Sequence, residues 1–505
     1  MLELKGRKVV VLGLGDTGLS MTRWLARHGA DVRVADSRAE PPHAARLARE
    51  LPRVALATGA FSDGTLRDAD LIAISPGLDR RDAPIARAIK RGVPVVGDVE
   101  LFAQALKQPG TRNATAASDA FGLASDSPVS AALRAAGGQI PAIERGPSSA
   151  PRRAPITPKV LAVTGTNGKS TVTAMTGEIC RAAGRETVVA GNIGTPALDA
   201  LGAIEDGAAA PEVIVLELSS FQLESTASLE PAAAAMLNLT EDHFDRYDGM
   251  ADYAAAKARV FAGGGVQVLN RDDRWSMSMA RSGRTLFTFG GGQPRAETEW
   301  GIGSARGGDL LARGSRSLMA VSELPLAGRH NAANALAAHA LAHAIGMPDE
   351  ALARALRSFR GLPHRMQRVA EHQGVLFLDD SKGTNVGATV AALAGMRQPV
   401  VLIAGGDGKG QDFSPLAPAV KARARAVVLI GRDAEQLARA IAASGVPVER
   451  AAGMEEAVQA AFRASRAGDA VLLSPACASY DMFRNYVHRA EVFVTAVRRL
   501  AGSGG

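Results

Sequence analysis

A short apolar run at residues 160–163 leads directly into Thr164-Gly165-Thr166-Asn167-Gly168-Lys169-Ser170-Thr171, and from there into a helical pattern reaching about residue 183. A buried strand, a glycine turn and a helix in that order mark a parallel α/β sheet, because parallel strands need a crossover and the helix supplies it. The turn also selects a ligand. Backbone N–H groups at a helix N-terminus, the Lys169 ammonium and the Ser170 hydroxyl are what a triphosphate with Mg²⁺ requires. The loop is a variant of the G-x-x-x-x-G-K-[ST] pattern, since Val163 stands where the first glycine belongs.

One such domain cannot account for 505 residues, because domains usually hold roughly 100–200 residues, so about three are expected. Apolar runs at 7–15, 32–35, 71–74 and 93–96, with a helical pattern at 19–28, make residues 1–107 a small doubly wound domain. Residues 108–158 are rich in Ala, Ser, Pro, Gly and Arg, with one short helix-forming run at 131–136; so little apolar surface predicts a flexible insertion or linker. Strands at 160–163, 213–218 and 235–239 and a long helix at 330–344 define a second α/β domain over 159–361. Gly361-Leu362-Pro363 is the expected hinge, since proline disfavours helix in the residue before it and glycine ends helices. Strands at 375–378, 400–404, 426–430 and 470–473 make 362–505 a third. The fold class expected is three-domain α/β: an N-terminal Rossmann-like domain, a central P-loop ATPase-type domain with a parallel sheet, and a C-terminal Rossmann-like domain.

Further motifs fall at strand ends. Gly13-Leu14-Gly15-Asp16-Thr17-Gly18 follows the first strand, and Asp36 ends the next, which is the dinucleotide fingerprint in its context. Its physics suits any diphosphate at a helix N-terminus, so a nucleotide diphosphate sugar fits as well as NAD. Glu217 closes the run Val213-Ile214-Val215-Leu216, where an acid can meet Mg²⁺ directly or through water. His243 follows the next strand end. Lys257, in Ala254-Ala255-Ala256-Lys257-Ala258-Arg259, reads on its own as a solvated helix lysine. In the third domain Asp379-Asp380-Ser381-Lys382-Gly383-Thr384-Asn385 and Gly405-Gly406-Asp407-Gly408-Lys409 both follow strands. The chain has only ten lysines, and Lys169, Lys382 and Lys409 all stand in such loops.

Taken with Gly191-Asn192-Ile193-Gly194, Glu217-Leu218-Ser219-Ser220-Phe221-Gln222-Leu223, Gly361-Leu362-Pro363-His364-Arg365 and Asp380-Ser381-Lys382, the Lys169 loop resembles the Mur ligases of peptidoglycan synthesis. The likeness runs from Gly13 to Leu473-Ser474-Pro475-Ala476-Cys477-Ala478-Ser479 and skips only 108–158, which is outside the usual family pattern. It implies an ATP-dependent, ADP-forming amide ligation through an acyl phosphate, with UDP-N-acetylmuramoyl-L-alanine and D-glutamate as substrates. By the resemblance Asp16, Thr17, Asp36, Ser37 and Arg38 hold the uridine diphosphate, with Asn192, Ser219 and His243 toward the muramoyl-alanine end. ATP falls to Gly165, Thr166, Asn167, Gly168, Lys169, Ser170 and Thr171, with Asn331, Asn334, Arg365 and Asp380. Two Mg²⁺ ions are implied on Ser170, Glu217, His243 and a carbamylated Lys257; Lys169, His243 and Lys257 are the implied catalytic set. Lys382, Thr384, Lys409, Ser479 and Tyr486 match the D-glutamate pocket, Tyr486 standing where the family pattern has Phe.

Other readings give different expectations. Another amide ligase of the superfamily would add L-alanine, a diamino acid or, as in folylpolyglutamate synthesis, L-glutamate. The Asp-Asn-Pro-Arg motif of diamino-acid addition is absent, and the Ser474–Ser479 segment favours D-glutamate. An NAD-dependent oxidoreductase built on Gly13 to Gly18 leaves Lys169 and Lys382 without a role. A net charge of +7 raises nucleic acid as a partner, but only 4% of residues are aromatic and no basic block is interleaved with them, so none is expected. With 47% hydrophobic and 22% charged residues the chain can bury large cores. Two cysteines suit a reducing compartment. The first residues carry no secretion signal and no stretch reaches membrane-spanning length, so a cytoplasmic protein without membrane insertion is expected; a monomer is expected as well.

Overall fold

The computed structural model describes residues 3–107, 158–305, 308–326 and 328–502. Of the segment expected as an insertion only Pro158 is among them; the rest, with the run at 131–136, lies outside the described residues.

Three sheets follow one another along the chain. The first runs in the order Ala55–Thr58, Asp31–Asp36, Lys8–Leu12, Leu71–Ile74, Val95–Val96, all parallel. Val9, Val10, Val11 and Leu12 are all buried, as a parallel strand covered on both faces must be. The chain adds strands first to one side of Lys8–Leu12 and then to the other, and the glycine turn at 13–18 opens at that switch point.

The second sheet has nine strands: Arg316–Ala320, Gly308–Arg313, Glu299–Ala305, Leu286–Phe289, Val266–Asn270, Ala233–Met236, Lys159–Thr164, Val213–Glu217, Thr187–Gly191. It is parallel up to Glu299–Ala305 and then turns into two antiparallel hairpin pairs. Val163 is in register with Glu217 and Thr164 with Met236, so the Lys169 loop emerges between an acid on one side and the 237–243 segment on the other. The third sheet runs Gln367–His372, Val375–Asp379, Ala470–Leu473, Val400–Gly405, Ala424–Ile430, Val448–Arg450, with an antiparallel first pair and the rest parallel. Asp379 and Ile403 both align with Leu473, which gathers the ends of three strands at one edge.

The first and second domains share one apolar core, to which Leu14, Leu101 and Phe102 contribute from the first and Leu198, Leu216 and Leu223 from the second. The opposite face of the second sheet and both faces of the third have cores of their own. No helix among the described residues is long and apolar enough to cross a membrane. Cys180 and Cys477 are free and buried.

The strand expected at 235–239 lies at Ala233–Met236, its three alanines buried between neighbours although alanine carries little strand preference. The expectation for Lys257 is overturned. It lies on the helix Met250–Ala258 with 1% of its surface exposed, because that face of the helix packs under the Lys169 loop instead of facing water.

Candidate functional site

The strand Lys159–Thr164 delivers the loop, and Gly168, at φ 83° with Asn334 Oδ1 only 2.6 Å from where a Cβ would sit, starts the helix Lys169–Ala182. A side chain at 168 would be both strained and blocked. Lys169 folds back so that its ammonium donates to the carbonyls of Gly165 (3.0 Å) and Thr166 (2.8 Å). Burial lowers its pKa, and the carboxylates of Glu217 and Asp242 oppose that shift. The loop is pinned from beside: Asn167 N–H donates to Asn238 Oδ1 (2.8 Å), and Asn238 Nδ2 donates back to the Asn167 carbonyl (3.1 Å). Arg365, from the third domain, donates to Ser170 Oγ at 3.3 Å.

Glu217 ends its strand with 1% exposure. Its Oε1 accepts from Asn192 Nδ2 at 2.8 Å, while Oε2 is buried without a hydrogen-bond partner among the described residues. Burial alone would push the carboxyl up; the charges of Lys169 and Lys382 overcome it and hold Glu217 below its ordinary value. His243, at φ 59°, sets its ring 4.6 Å from that of Phe221. Burial outweighs the attraction of Asp242 and takes the imidazole down to about 3, so it is neutral at physiological pH and has a lone pair to give. Lys257 Nζ donates to the Gly165 carbonyl at 2.8 Å and stands 4.7 Å over the Tyr253 ring. Burial, with Lys169 nearby, lowers its pKa well below the usual lysine range.

These donors fit Mg²⁺, which binds through one or two carboxylates and keeps substrate phosphates and waters as its other ligands. An ionised carboxylate oxygen with no partner, a hydroxyl at Ser170 and a neutral imidazole are present together. Among the described residues no group of three or more His, Cys, Asp or Glu could form an all-protein cage.

Two hollows meet at the loop. A cleft of about 670 Å³ is lined by Asp16, Thr17, Asp36, Ser37 and Arg38 of the first domain. The second domain gives it Thr166, Asn167, Lys169, Ser170, Asn192, Glu217, Ser219, His243 and Lys257, and the third gives Arg365, Lys382, Thr384, Lys409, Ser479 and Tyr486. A second cavity of about 850 Å³ holds Gly168, Thr171, Asn331, Asn334 and Asp380, with Asn167 and Arg365 bordering both. Gly165 lines neither, its carbonyl being taken up by the two lysines.

At the first-domain end Asp36 is saturated. Oδ2 accepts from Leu14 N–H (2.6 Å) and Arg38 Nη2 (2.6 Å), and Oδ1 from Arg38 N–H (2.9 Å) and Nε (2.8 Å). Burial opposes ionisation, but these bonds, led by Arg38, hold the carboxyl down at about 2. An acid so occupied cannot take both hydroxyls of a ribose, which removes the support for an NAD site. At the third-domain end Lys382 lies 5.2 Å over the Tyr486 ring, and burial brings it to about 8 against the pull of Glu217. Lys409 pairs with Asp242, and Asn385 Nδ2 donates to Asn167 Oδ1 (3.0 Å) and Asp242 Oδ2 (3.3 Å), so the third domain is latched onto the loop. Asp380, pushed up to about 7 by burial, accepts from Ser474 Oγ at 2.7 Å.

Sequence reasoning missed Asp242, Asn385, Asn238 and Tyr253 as site residues. Asn385 lies inside a motif it quoted, Asp242 directly precedes His243, Tyr253 is one helical turn before Lys257, and Asn238 is two residues past a strand end.

Three family models match the chain: Mur ligase MurD-like, N-terminal domain, over residues 7–97; Mur ligase middle domain over 163–342; and Mur ligase, glutamate ligase domain, over 364–477. The UDP-N-acetylmuramoylalanine–D-glutamate ligase of Thiobacillus denitrificans is 57% identical over 502 residues, covering 99% of this chain and 98% of that protein. The protein of the same name from Nitrosospira multiformis is 51% identical over 508 residues, covering 100% and 98%. Alignments that cover so much of the chain run through 108–157 as well. Among solved structures, the UDP-N-acetylmuramate-alanine ligase of Thermotoga maritima superposes with a TM-score of 0.57 at 18% identity, over 98% of this chain and 99% of that one. The pseudomurein peptide ligase type C of Methanothermus fervidus gives 0.54, also at 18% identity, over 98% and 100%. These likenesses concern the fold.

Proposed function

The chain belongs to the Mur ligase family, and from that premise we propose that it joins D-glutamate to UDP-N-acetylmuramoyl-L-alanine with cleavage of ATP to ADP and phosphate. The observation that carries this reading is the single cleft in which a diphosphate-type glycine loop, a phosphate loop with an open carboxylate oxygen, and two lysines of a third domain face one another.

A carboxylate is a poor electrophile, so it must first receive the γ-phosphoryl group of ATP; the acyl phosphate is then attacked by the glutamate amine, and phosphate leaves. The task for the protein is to bring several anions together. Arg38 meets the diphosphate of the sugar nucleotide, Lys169 and Arg365 the phosphates of ATP, and Lys382 and Lys409 the carboxylates of D-glutamate. Such fixed charges act where negative charge develops, which is how phosphoryl transfer is catalysed generally. Asn331, Asn334 and Asp380 place the nucleoside in the second cavity, and Thr384, Ser479 and Tyr486 complete the amino-acid pocket. Ser170, Glu217 and His243 would hold one Mg²⁺ and carbamylated Lys257 would help hold another, the ions neutralising phosphate charge. The depressed pKa of Lys257 supports the carbamate, because only the neutral amine adds CO₂.

The latch of Lys409 and Asn385 on the second domain supports closure of the third domain about Gly361 to Pro363, where Gly361, His364 and Met366 all have positive φ. All three walls of the cleft come from one chain, which supports a monomer, and the substrates proposed are those of a cytoplasmic step. The test is ADP release with ATP, Mg²⁺ and UDP-N-acetylmuramoyl-L-alanine across D-glutamate, L-glutamate, L-alanine and meso-diaminopimelate. Turnover with D-glutamate alone is expected; turnover with a different amino acid moves the specificity, and none with any overturns the reading.

A further inference from the structure

Ser219, on the cleft wall beside Asn192, is the N-cap of the short helix Ser220–Glu224. Gln222 closes a capping box on it: Gln222 N–H donates to Ser219 Oγ (3.2 Å), and Gln222 Oε1 accepts from Ser219 N–H (3.1 Å) and Oγ (3.2 Å). The box works only if the amide presents its oxygen to Ser219. A flipped amide would set its NH₂ against the Ser219 N–H, donor facing donor.

What fixes the amide comes from another domain. Asp98 begins the first-domain helix Asp98–Leu106, is 1% exposed, and accepts from Gln222 Nε2 at 3.0 Å. Burial pushes its carboxyl up to about 6; with Ser219 N–H on the amide oxygen, it is the NH₂ that faces Asp98 Oδ2. The helix is held at that depth by Glu100, which accepts from Ala227 N–H (2.6 Å), Ser228 N–H (2.9 Å) and Ser228 Oγ (2.6 Å). Gly97 lets the backbones come this close, since a Cβ there would lie 2.2 Å from Ser225 Oγ. Asp98 itself is not among the residues that line the cleft.

We propose that Asp98 is a positioning residue for the sugar nucleotide: by orienting Gln222 it fixes Ser219, so that docking of the first domain shapes the wall on which the substrate lies. This rests on the ligase reading above. The test is steady-state kinetics with each substrate varied in turn, alongside melting temperature, for D98A, D98N, Q222E and the double variant D98N/Q222E. D98A is expected to raise KM for UDP-N-acetylmuramoyl-L-alanine about tenfold, the effect of one buried hydrogen bond, with KM for ATP and D-glutamate and the value of kcat little changed. D98N keeps an acceptor for the amide and should stay near wild type. Q222E sets two carboxylates face to face and should be at least as impaired as D98A, whereas D98N/Q222E restores one donor and one acceptor between the positions and should recover the wild-type KM.

An unchanged KM in folded D98A, an equal rise for all three substrates, or a double variant no better than Q222E overturns the inference. Should D98A not fold, the Q222E and D98N/Q222E pair decides alone. A wild-type protein inactive with every amino acid overturns the ligase reading, while an active one whose D98A variant keeps its KM overturns this inference only.

Discussion

The chain uses one backbone device twice and gives it different electrostatics each time. At residues 13–18 and at 165–170 a buried central strand ends in glycines, a helix begins, and an acid stands at the end of a neighbouring strand. In the first loop that acid, Asp36, is filled by Leu14 and Arg38 and serves to shape the turn. In the second, Glu217 keeps an oxygen free among the described residues, and two lysines, the half-buried Lys169 and the buried Lys257, converge on a single carbonyl, that of Gly165. Glycine turns therefore say that phosphate can approach; whether chemistry follows is decided by which charges are left unsatisfied. On the proposed reading, the closed acid belongs to a binding wall and the one with an unpaired oxygen beside lysines to the reaction site.

The contrast breaks most directly at Lys169. K169A removes the cation proposed to face the transferred phosphoryl group, and a fall in kcat for ADP release of about 10²–10³-fold is expected, as for loss of one preorganised electrostatic partner. Near-normal turnover would mean that the second loop, like the first, only binds. Lys257 sharpens the same contrast. If its buried amine acts as a carbamate, K257A should lose roughly 10–100-fold in activity, the usual scale for groups that support a metal ligand set, and added short-chain carboxylate should restore part of it. A variant that is fully active would assign Lys257 to packing under Gly165.

Lys257 also shows what the sequence could and could not disclose. The strand-turn-helix order, the acid after Val213 to Leu216 and the loops after the strands of the third domain were legible, because each is a local pattern and parallel sheets collect ligands at strand ends. The burial of Lys257 was not, since an alanine-rich helix looks alike on every side until a loop 92 residues earlier is laid over it. Asp242 and Asn385 were in view but had no visible role, because their partners, Lys409 and Asn167, come from other domains. The strand Ala233–Met236 and the hairpins between Glu299 and Ala320 gave weak signals, the one because alanine has little strand preference, the other because Gly and Arg interrupt the alternation. The family motifs supplied the roles proposed for the cleft residues; the physics of single residues supplied only their places.

The smallest effect is expected at the closed acid, and it comes with a pH signature. Asp36 is held at about 2, below the 3.8 of an ordinary aspartate, so its folded form resists protonation more than its unfolded form does. Its contribution to stability is therefore complete above about pH 4 and disappears as the pH falls from 3.8 through 2. D36N can keep an acceptor for Leu14 N–H but turns an NH₂ toward the Arg38 guanidinium. A loss of about 1–3 kcal/mol is expected for that mismatch. At neutral pH it should appear as a lower melting temperature, by about 4–8 °C per kcal/mol for a domain of roughly 100 residues. The gap to wild type should narrow as both are taken down to pH 3 and below. A gap that persists unchanged in acid would show that the charge on Asp36 contributes nothing and that the first loop is held by packing alone. Equal losses of kcat in D36N and K169A would erase the distinction between the two loops altogether.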